Sequence, residues 1–272
     1  MRRRPERLSR PPGLTNCVED RRDVIEVVVR AFSVLRCFED QEVCLGNAEI
    51  SRRCALPPST VSRLTYTLTR MGQLTYLPQD QKYRIGPGAV AMSASMMCGN
   101  PAGAQIRSHL RQVAEGIPGF IGLVLPDRFH LVCLELARAT NVLGSGSGKG
   151  SRLAMASTAA GHAYTAAIDT DACDALLVEM EREIPEKAKL LRSSIDRNRH
   201  LLRKQGYIVA CGLWSPNING IAAPVWSPRY QTFVVTTIGL SSAAYDEGRL
   251  HEEVAPRLLK LSGSIRGILE AS

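Results

Sequence analysis

The chain has 272 residues, 44% of them apolar, with eight cysteines, five histidines and a formal net charge of +8. That length suits two domains with real cores, and no run approaches the roughly eighteen apolar residues that a membrane span requires. The cysteines form no C-x-x-C pair and the histidines show no ligand spacing, so neither a disulfide framework nor a metal centre is expected, and several cysteines read as small buried hydrophobes.

In chain order, Met1 to about Asp20 is rich in Arg and Pro with no apolar segment behind its basic start. Residues 1–22 therefore read as a disordered basic arm and not as a secretory signal, which implies an intracellular, cytoplasmic protein. Arg2, Arg3, Arg4, Arg7 and Arg10 either touch a nucleic-acid backbone or minor groove, or simply solubilise the chain. Val24 to Phe38 reads as a first helix with Val24, Val28, Ala31, Phe32, Leu35 and Phe38 toward the core and Arg30 and Arg36 outward. Leu45 to Leu56 reads as a short second helix, capped by Asn47, with Leu45, Ala48, Ile50, Cys54 and Leu56 as buried positions. The chain turns at Ala55-Leu56-Pro57.

Pro57 to Met71, PPSTVSRLTYTLTRM, is the centre of this part. Val61, Leu64, Leu68 and Met71 recur at helical spacing and make one apolar stripe. Ser59, Ser62, Arg63, Tyr66 and Arg70 occupy the other side, with no carboxylate among them. Pro58, Ser59 and Thr60 suit a helix start. An acid-free face of hydroxyls and guanidinium groups suits phosphates and base edges; an ordinary solvated face is the alternative. Two short helices around a tight turn, with a polar second helix, form a helix-turn-helix. Leu74–Leu77 and Lys82–Ile85 flank a Pro78-Gln79-Asp80-Gln81 turn, a hairpin that makes the unit a winged one with Lys82 and Arg84 on its second strand. Residues 1–85 hold 15 Lys/Arg against 10 Asp/Glu, so more than half of the positive excess gathers here.

Gly86-Pro87-Gly88 marks a boundary, and residues 87–100 read as a linker helix whose small and Met-rich surface suits a subunit contact or plain packing. A further helix follows from Pro101. FIGLVLP and FHLVCLELA alternate as two strands joined at Pro126-Asp127-Arg128. The GSGSGKG stretch (Gly144 to Gly150) departs from a phosphate-binding loop, because Gly144 and Gly148 are separated by three residues and Lys149 is followed by Gly150. Ala154 to Ile168 reads as a loop turning into a helix with a small-residue start, which serves either as an anion seat or for close packing. Ser157 and His162 resemble a nucleophile and a base, without an acid partner or nucleophile elbow. Asp171–Met180 and Ile184–Gln205 read as two helices, the second long. Strands are expected from Gly206, over Gly220–Trp226 and over Phe233–Ser241, with a turn at Trp214–Asn219 and a closing helix over Leu250–Leu269. The expected second domain is an α+β sheet covered on one side.

Taken together, LGNAEISRRCALPPSTVSRLTYTLTRMGQL, KYRIGPG, AMASTAAGHAYTA, the GY of QGYIV and INGIAAPV resemble the IclR family of bacterial transcriptional regulators, over nearly the whole chain from about Val24. The resemblance implies an α+β protein: a winged helix-turn-helix (residues 23–86), the linker helix (87–100) and a GAF-like α/β effector domain (101–272). It implies no cofactor, a double-stranded DNA operator, a small-molecule effector (commonly an organic acid, so a carboxylate) and a homodimer or dimer of dimers, with no membrane partner. By position, Ser59, Thr60, Ser62, Arg63 and Tyr66 correspond to the recognition helix, with Arg70, Lys82 and Arg84 beside them. Met155, Ala159, Ala160, Gly161, Gly220, Thr237 and Gly239 correspond to the effector pocket. Ala210 and Gly220 stand where well-studied members have an acidic residue and a cysteine, and Ala55 replaces the usual turn glycine. The competing readings are a hydrolase working through Ser157 and His162, and a regulator whose second domain only dimerises.

Overall fold

The computed structural model describes residues 25–38, 44–98, 101–139 and 148–271. The basic arm, Val24 and most of the glycine-rich stretch lie outside the described residues. The chain divides into two compact units, Cys17–Asn100 and one containing Pro101–Ser272.

The first unit carries α1 (Glu26–Arg36), α2 (Asn47–Cys54), α3 (Pro58–Arg70), an antiparallel hairpin of β1 (Leu74–Leu77) and β2 (Lys82–Ile85), and α4 (Pro87–Cys98). Its core joins Val34 and Phe38 to Leu45, Ile50, Val61, Leu64, Leu68 and Leu74, and an isolated bridge from Leu45 to Tyr83 ties the segment before α2 to the hairpin. Several expected positions differ. Val28 and Phe32 are 47% and 54% exposed, because only Val34 of α1 is fully buried and the N-terminal half of the helix projects past the core. Met71 is 65% exposed: the helix ends at Arg70, and Met71 leaves the helical register that the stripe follows. Asn47 does not cap α2. Gly46 takes that place, and Asn47 Oδ1 instead accepts from the buried Thr65 hydroxyl at 3.1 Å, which links α2 to α3. Ala48 is exposed, while Cys54 and Leu56 are half-buried. No side chain caps α3, where Pro57 is the cap and Pro58 supplies the pre-set first turn.

Ala55 turns the chain with φ +53, a left-handed conformation that costs an alanine roughly 1–2 kcal/mol. Glycine is required after the hairpin for a different reason. A Cβ on Gly86 would sit 2.3 Å from the Gly72 carbonyl oxygen, so only glycine lets the start of α4 close against that turn, where Gly88 N–H donates to the same oxygen at 2.9 Å.

The second unit runs α5 (Pro101–Glu115), β3 (Gly119–Asp127), β4 (His130–Arg138), β5 (Arg152–Ala154), a 3-10 turn (Met155–Ser157), α6 (Ala159–Ala167), α7 (Thr170–Glu183), α8 (Pro185–Arg192), α9 (Ile195–Gln205), β6 (Ile208–Ser215), β7 (Ile218–Ser227), β8 (Thr232–Ser241), a short α10 (Glu247–Arg249), a π turn (Leu250–Val254) and α11 (Ala255–Glu270). The strands form one antiparallel sheet in the order β5-β4-β3-β8-β7-β6. This sheet is covered on both faces, not on one. Ile221, Ala223, Val225 and Ile238 pack with α5 and α11, while the alternating Ala222 and Val235 pack with α6 to α9. A strand buried on both sides loses the polar half of its alternation, which is why INGIAAPV and FVVTTIGL read as near-continuous apolar runs.

The long helix expected over Ile184–Gln205 is broken in two. Ser193 and Ser194 donate their hydroxyls to the Leu190 and Leu191 carbonyls, each at 2.8 Å, and these back-bonds compete with helix continuation. Likewise, the turn expected at Trp214–Asn219 is confined to Pro216 and Asn217, with Trp214 still on β6 and Ile218 already on β7. Lys149 of the glycine-rich stretch is an ion-pair partner: its Nζ lies 2.6 Å from the buried Glu135 carboxylate, which Arg107 of α5 also holds at 3.0 Å.

Candidate nucleic-acid interface and ligand cavity

In the first unit α3 is anchored by its inward side. Val61, Leu64, Thr65 and Leu68 are buried, so the helix cannot roll, and the residues between them are fixed outward. Ser59, Ser62, Arg63, Tyr66 and Arg70 are exposed, Tyr66 at 66%, and Thr60 is half-buried. Lys82 and Arg84 are exposed on β2. The first turn of α3 carries no acid and its last turn carries Arg70. On α2, Glu49 is neutralised by Arg53 (2.5 Å) and by Arg52, whose hydrogen bonds hold its pKa below the ordinary carboxylate value. The exposed chemistry of α3 is therefore hydrogen-bond donors with a positive bias, the form that phosphate oxygens and base edges accept.

The second unit holds a cavity of about 30 Å³ between the start of α6 and the sheet. Its floor is made of small residues. Ala159, Ala210, Gly220 and Gly239 line it, with Thr158 and Thr237 supplying hydroxyls. Gly220 permits the close approach: a Cβ there would lie 3.2 Å from Ala159 Cβ. Thr158 caps α6, accepting from Gly161 N–H at 3.1 Å and donating to the Ala154 carbonyl at 2.8 Å. Met155, Ala160 and Gly161 lie behind this wall and are not among the lining residues; all are buried. Gly161 there faces the 3-10 turn, since a Cβ on it would fall 2.0 Å from the Met155 carbonyl oxygen. The small-residue start of α6 thus serves close packing at Gly161 and borders the cavity at Ala159. Phe120 and Trp214 join the lining from β3 and β6, beside the aliphatic Leu153, Ile218 and Ile238, and local sequence gives no sign of the two aromatic residues. Their ring centroids are 5.8 Å apart at an interplanar angle of 80°, an edge-to-face contact. Among the described residues, no charged side chain lines the cavity.

His162 does not stand ready as a base. Its Nε2 donates to the Ala156 carbonyl at 3.0 Å and its Nδ1 accepts from Asn198 Nδ2 at 2.9 Å, so both ring nitrogens are engaged inside the protein. Burial, ahead of the nearby Arg197 charge, holds its pKa below the ordinary 6.5. The unfolded chain takes up a proton there that the folded chain refuses, so this contribution is present in full above that pH and is lost as the pH falls toward the depressed value. Urea unfolding midpoints are expected to drop between about pH 7.5 and pH 5.5, and to drop less in His162→Gln; an equal drop in both would assign the pH dependence to other groups. Among the described residues no group of three His, Cys, Asp or Glu is placed to hold a metal ion, and no helix is long and apolar enough to cross a membrane.

Residues 27–78 match the IclR helix-turn-helix domain. The chain is 23% identical over 253 residues to the HTH-type transcriptional regulator TsaQ1/TsaQ2 of Comamonas testosteroni, covering 92% of this chain and 90% of that protein. The crystal structure of an IclR family transcriptional regulator from Brucella abortus superposes with a TM-score of 0.79 at 26% identity, over 91% of this chain and 94% of that one. An IclR homolog from Microbacterium hydrocarbonoxydans, complexed with 4-hydroxybenzoate, shares the fold with a TM-score of 0.66 at 19% identity, over 90% of this chain and 100% of the other. With a matching IclR helix-turn-helix domain over residues 27–78 and transcriptional regulators among the relatives that cover about nine-tenths of it, the chain is similar to DNA-binding transcriptional regulators of the IclR type.

Proposed function

We propose that the outward side of α3 reads an operator in the major groove of duplex DNA, and that a small organic acid bound in the second unit alters that binding. The observation that carries the first half is the anchored, acid-free face from Ser59 to Arg70, in a helix-turn-helix with basic residues on the adjoining hairpin. Arg63 and Tyr66 contact base edges, while Arg70, Lys82 and Arg84 hold phosphates. The cavity at the start of α6 supports the second half, together with the 4-hydroxybenzoate bound by the Microbacterium hydrocarbonoxydans relative. Residues 23–86 act as the DNA-binding part and 101–272 as the effector part, in a regulator that works in the cytoplasm and is no enzyme. Selection of bound duplexes from a random pool tests the reading: one recurrent sequence, released or tightened by a small carboxylate, is expected. Recovery of unrelated sequences only would contradict it.

The regulator works as a homodimer or a dimer of dimers, so that its helices meet paired half-sites. Supporting this is the exposed apolar side of α1, where Ile25, Val28 and Phe32 are 66%, 47% and 54% exposed. Such a cluster on a polar unit marks an interaction surface more often than a solvated one. Phe32→Glu is expected to shift sedimentation toward smaller species and to weaken operator binding about tenfold or more, the loss of avidity from a second half-site. Unchanged sedimentation would place the subunit contact elsewhere.

A further inference from the structure

Two cysteines meet inside the first unit, where α1 packs on α2. Cys37 is the C-cap of α1 and Cys54 is the last residue of α2. Both sulfur atoms gather around one oxygen. Cys54 Sγ donates to the Ile50 carbonyl at 2.9 Å, and Cys37 Sγ, which donates to the Ser33 carbonyl at 3.3 Å, lies 4.0 Å from the same Ile50 oxygen. Cys54 is close enough to act on Cys37 directly, and it packs against the core cluster that contains Cys37. Arg53 adds a second tie between the same two places, donating from Nη1 to the Cys37 carbonyl at 3.1 Å.

The two sulfurs differ in access. Cys37 is 8% exposed, and burial, reinforced by Cys54, pushes its pKa up to about 11. It is therefore a protonated thiol at neutral pH. Cys54 is half-buried, so an oxidant in the solvent reaches it first. Cys54 also sits where movement matters, because the next residue is Ala55, whose φ of +53 turns the chain toward α3. Around that turn Ser51 Oγ donates to the Leu56 carbonyl at 2.5 Å, and Leu56 N–H donates to the Ser51 carbonyl at 3.2 Å. A turn pinned from both ends passes a displacement of Cys54 on to the start of α3.

We propose that Cys37 and Cys54 are an oxidisable dithiol: a peroxide joins them in a disulfide that shifts the α2–α3 joint and lowers operator affinity, and a thiol reductant reverses this. The effect on affinity rests on the reading of α3 as the operator-binding helix. The Cys54 thiolate attacks one peroxide oxygen, so that an S–O bond forms, the O–O bond breaks and hydroxide leaves. The Cys37 sulfur then attacks the Cys54 sulfur. The S–S bond forms, the S–O bond breaks, and the oxygen departs as water with the Cys37 proton. The two sulfurs together lose two electrons and the peroxide gains them. Closing the bond removes the proton that Cys54 gives to Ile50 and draws the sulfurs inside van der Waals contact, which moves the end of α2. In a reducing cell such a bond is transient and reports oxidation instead of holding the fold.

The full chain is treated with hydrogen peroxide, alkylated, digested without reductant and mapped by mass. A cross-link between the Cys37 and Cys54 peptides, opened by dithiothreitol, is expected. Cys44 shares a tryptic peptide with Cys37, so the map is repeated in Cys44→Ser, where the cross-link should persist. It should vanish in Cys54→Ala. In Cys37→Ala the sulfenic acid has no partner, and dimedone should label Cys54. Peroxide should weaken operator binding by roughly tenfold or more in the parent, reversibly with dithiothreitol, and leave Cys54→Ala unaffected. Cys37→Ala provides the same comparison if Cys54→Ala does not fold. Absence of the cross-link at doses that oxidise the exposed Cys211 would overturn the proposal. A cross-link that leaves operator affinity unchanged would overturn it too, as would a loss of binding accompanied by unfolding in the circular dichroism spectrum. A reduced protein that binds no duplex would refute the reading of α3 and with it the effect on affinity, whereas the cross-link map decides the dithiol by itself.

Discussion

Arg63→Ala is expected to weaken operator binding by roughly 1–3 kcal/mol if the guanidinium reads a base edge, and by less if it touches phosphate alone. Arg63 is exposed on a helix whose opposite side is locked by Val61, Leu64 and Leu68, so its loss removes donors without disturbing the core. The two contact types leave different signatures. Losing a base contact relaxes preference at one operator position, whereas losing a phosphate contact weakens all sequences alike and reduces the salt slope by about 1. Lys82→Ala on the hairpin is the comparator for the second behaviour. Titrations of the selected operator and of single-base variants, at two salt concentrations, distinguish them. Unchanged affinity and an unchanged footprint in Arg63→Ala would remove this residue from the interface.

Gly161→Ala is expected to cost about 3 kcal/mol or more, at the upper end of what overpacking a tight core costs. The added methyl meets backbone, not a movable side chain: the Met155 oxygen, Cα and carbonyl carbon lie 2.0, 2.3 and 2.5 Å from its position. Either the 3-10 turn or the first turn of α6 must shift, and with it the Thr158 cap and the His162 contact to Ala156. Gly267→Ala serves as the control. It lies inside α11 with nothing within 4 Å of an added Cβ, and there an alanine should stabilise by roughly 0.5–1 kcal/mol through helix propensity. Thermal unfolding should show the first variant melting several degrees lower and the second no lower than the parent. A neutral Gly161→Ala would mean that the turn packs more loosely over α6 than these distances require.

Local pattern carried most of the fold. The hairpin Leu74–Leu77 and Lys82–Ile85, the helices around the Ala55 turn, and the outward face of α3 follow from periodicity and turn chemistry alone. What it missed has physical causes. A 3.6-residue period marks an apolar stripe on α1 but cannot say that the core reaches only as far as Val34, so Val28 and Phe32 were expected inside. The apolar character of β7 and β8 held the signal for a sheet covered twice, hidden by the absence of polar alternation. Ser193 and Ser194 break a helix through side-chain back-bonds that propensity does not register. The cavity was half legible. Ala159, Gly220, Thr237 and Gly239, which the family resemblance assigns to an effector pocket, lie together along it, whereas Phe120 and Trp214 arrive there through a strand register and an edge-strand bulge. The β3–β8 register joins Phe120 to Gly239, more than a hundred positions away and beyond the reach of any local pattern, while the bulge in the β6–β7 hairpin breaks the regular alternation by which a strand is read.

Tyr66, 66% exposed on the outward side of α3, is the position where contact with the bases is read most directly. A photoreactive phenylalanine at position 66, irradiated in the presence of the selected operator, is predicted to cross-link to bases within the footprint, while the same group at the exposed Lys260 of α11 does not. Equal cross-linking from both positions, or none from position 66 in a complex that still forms, would contradict the account.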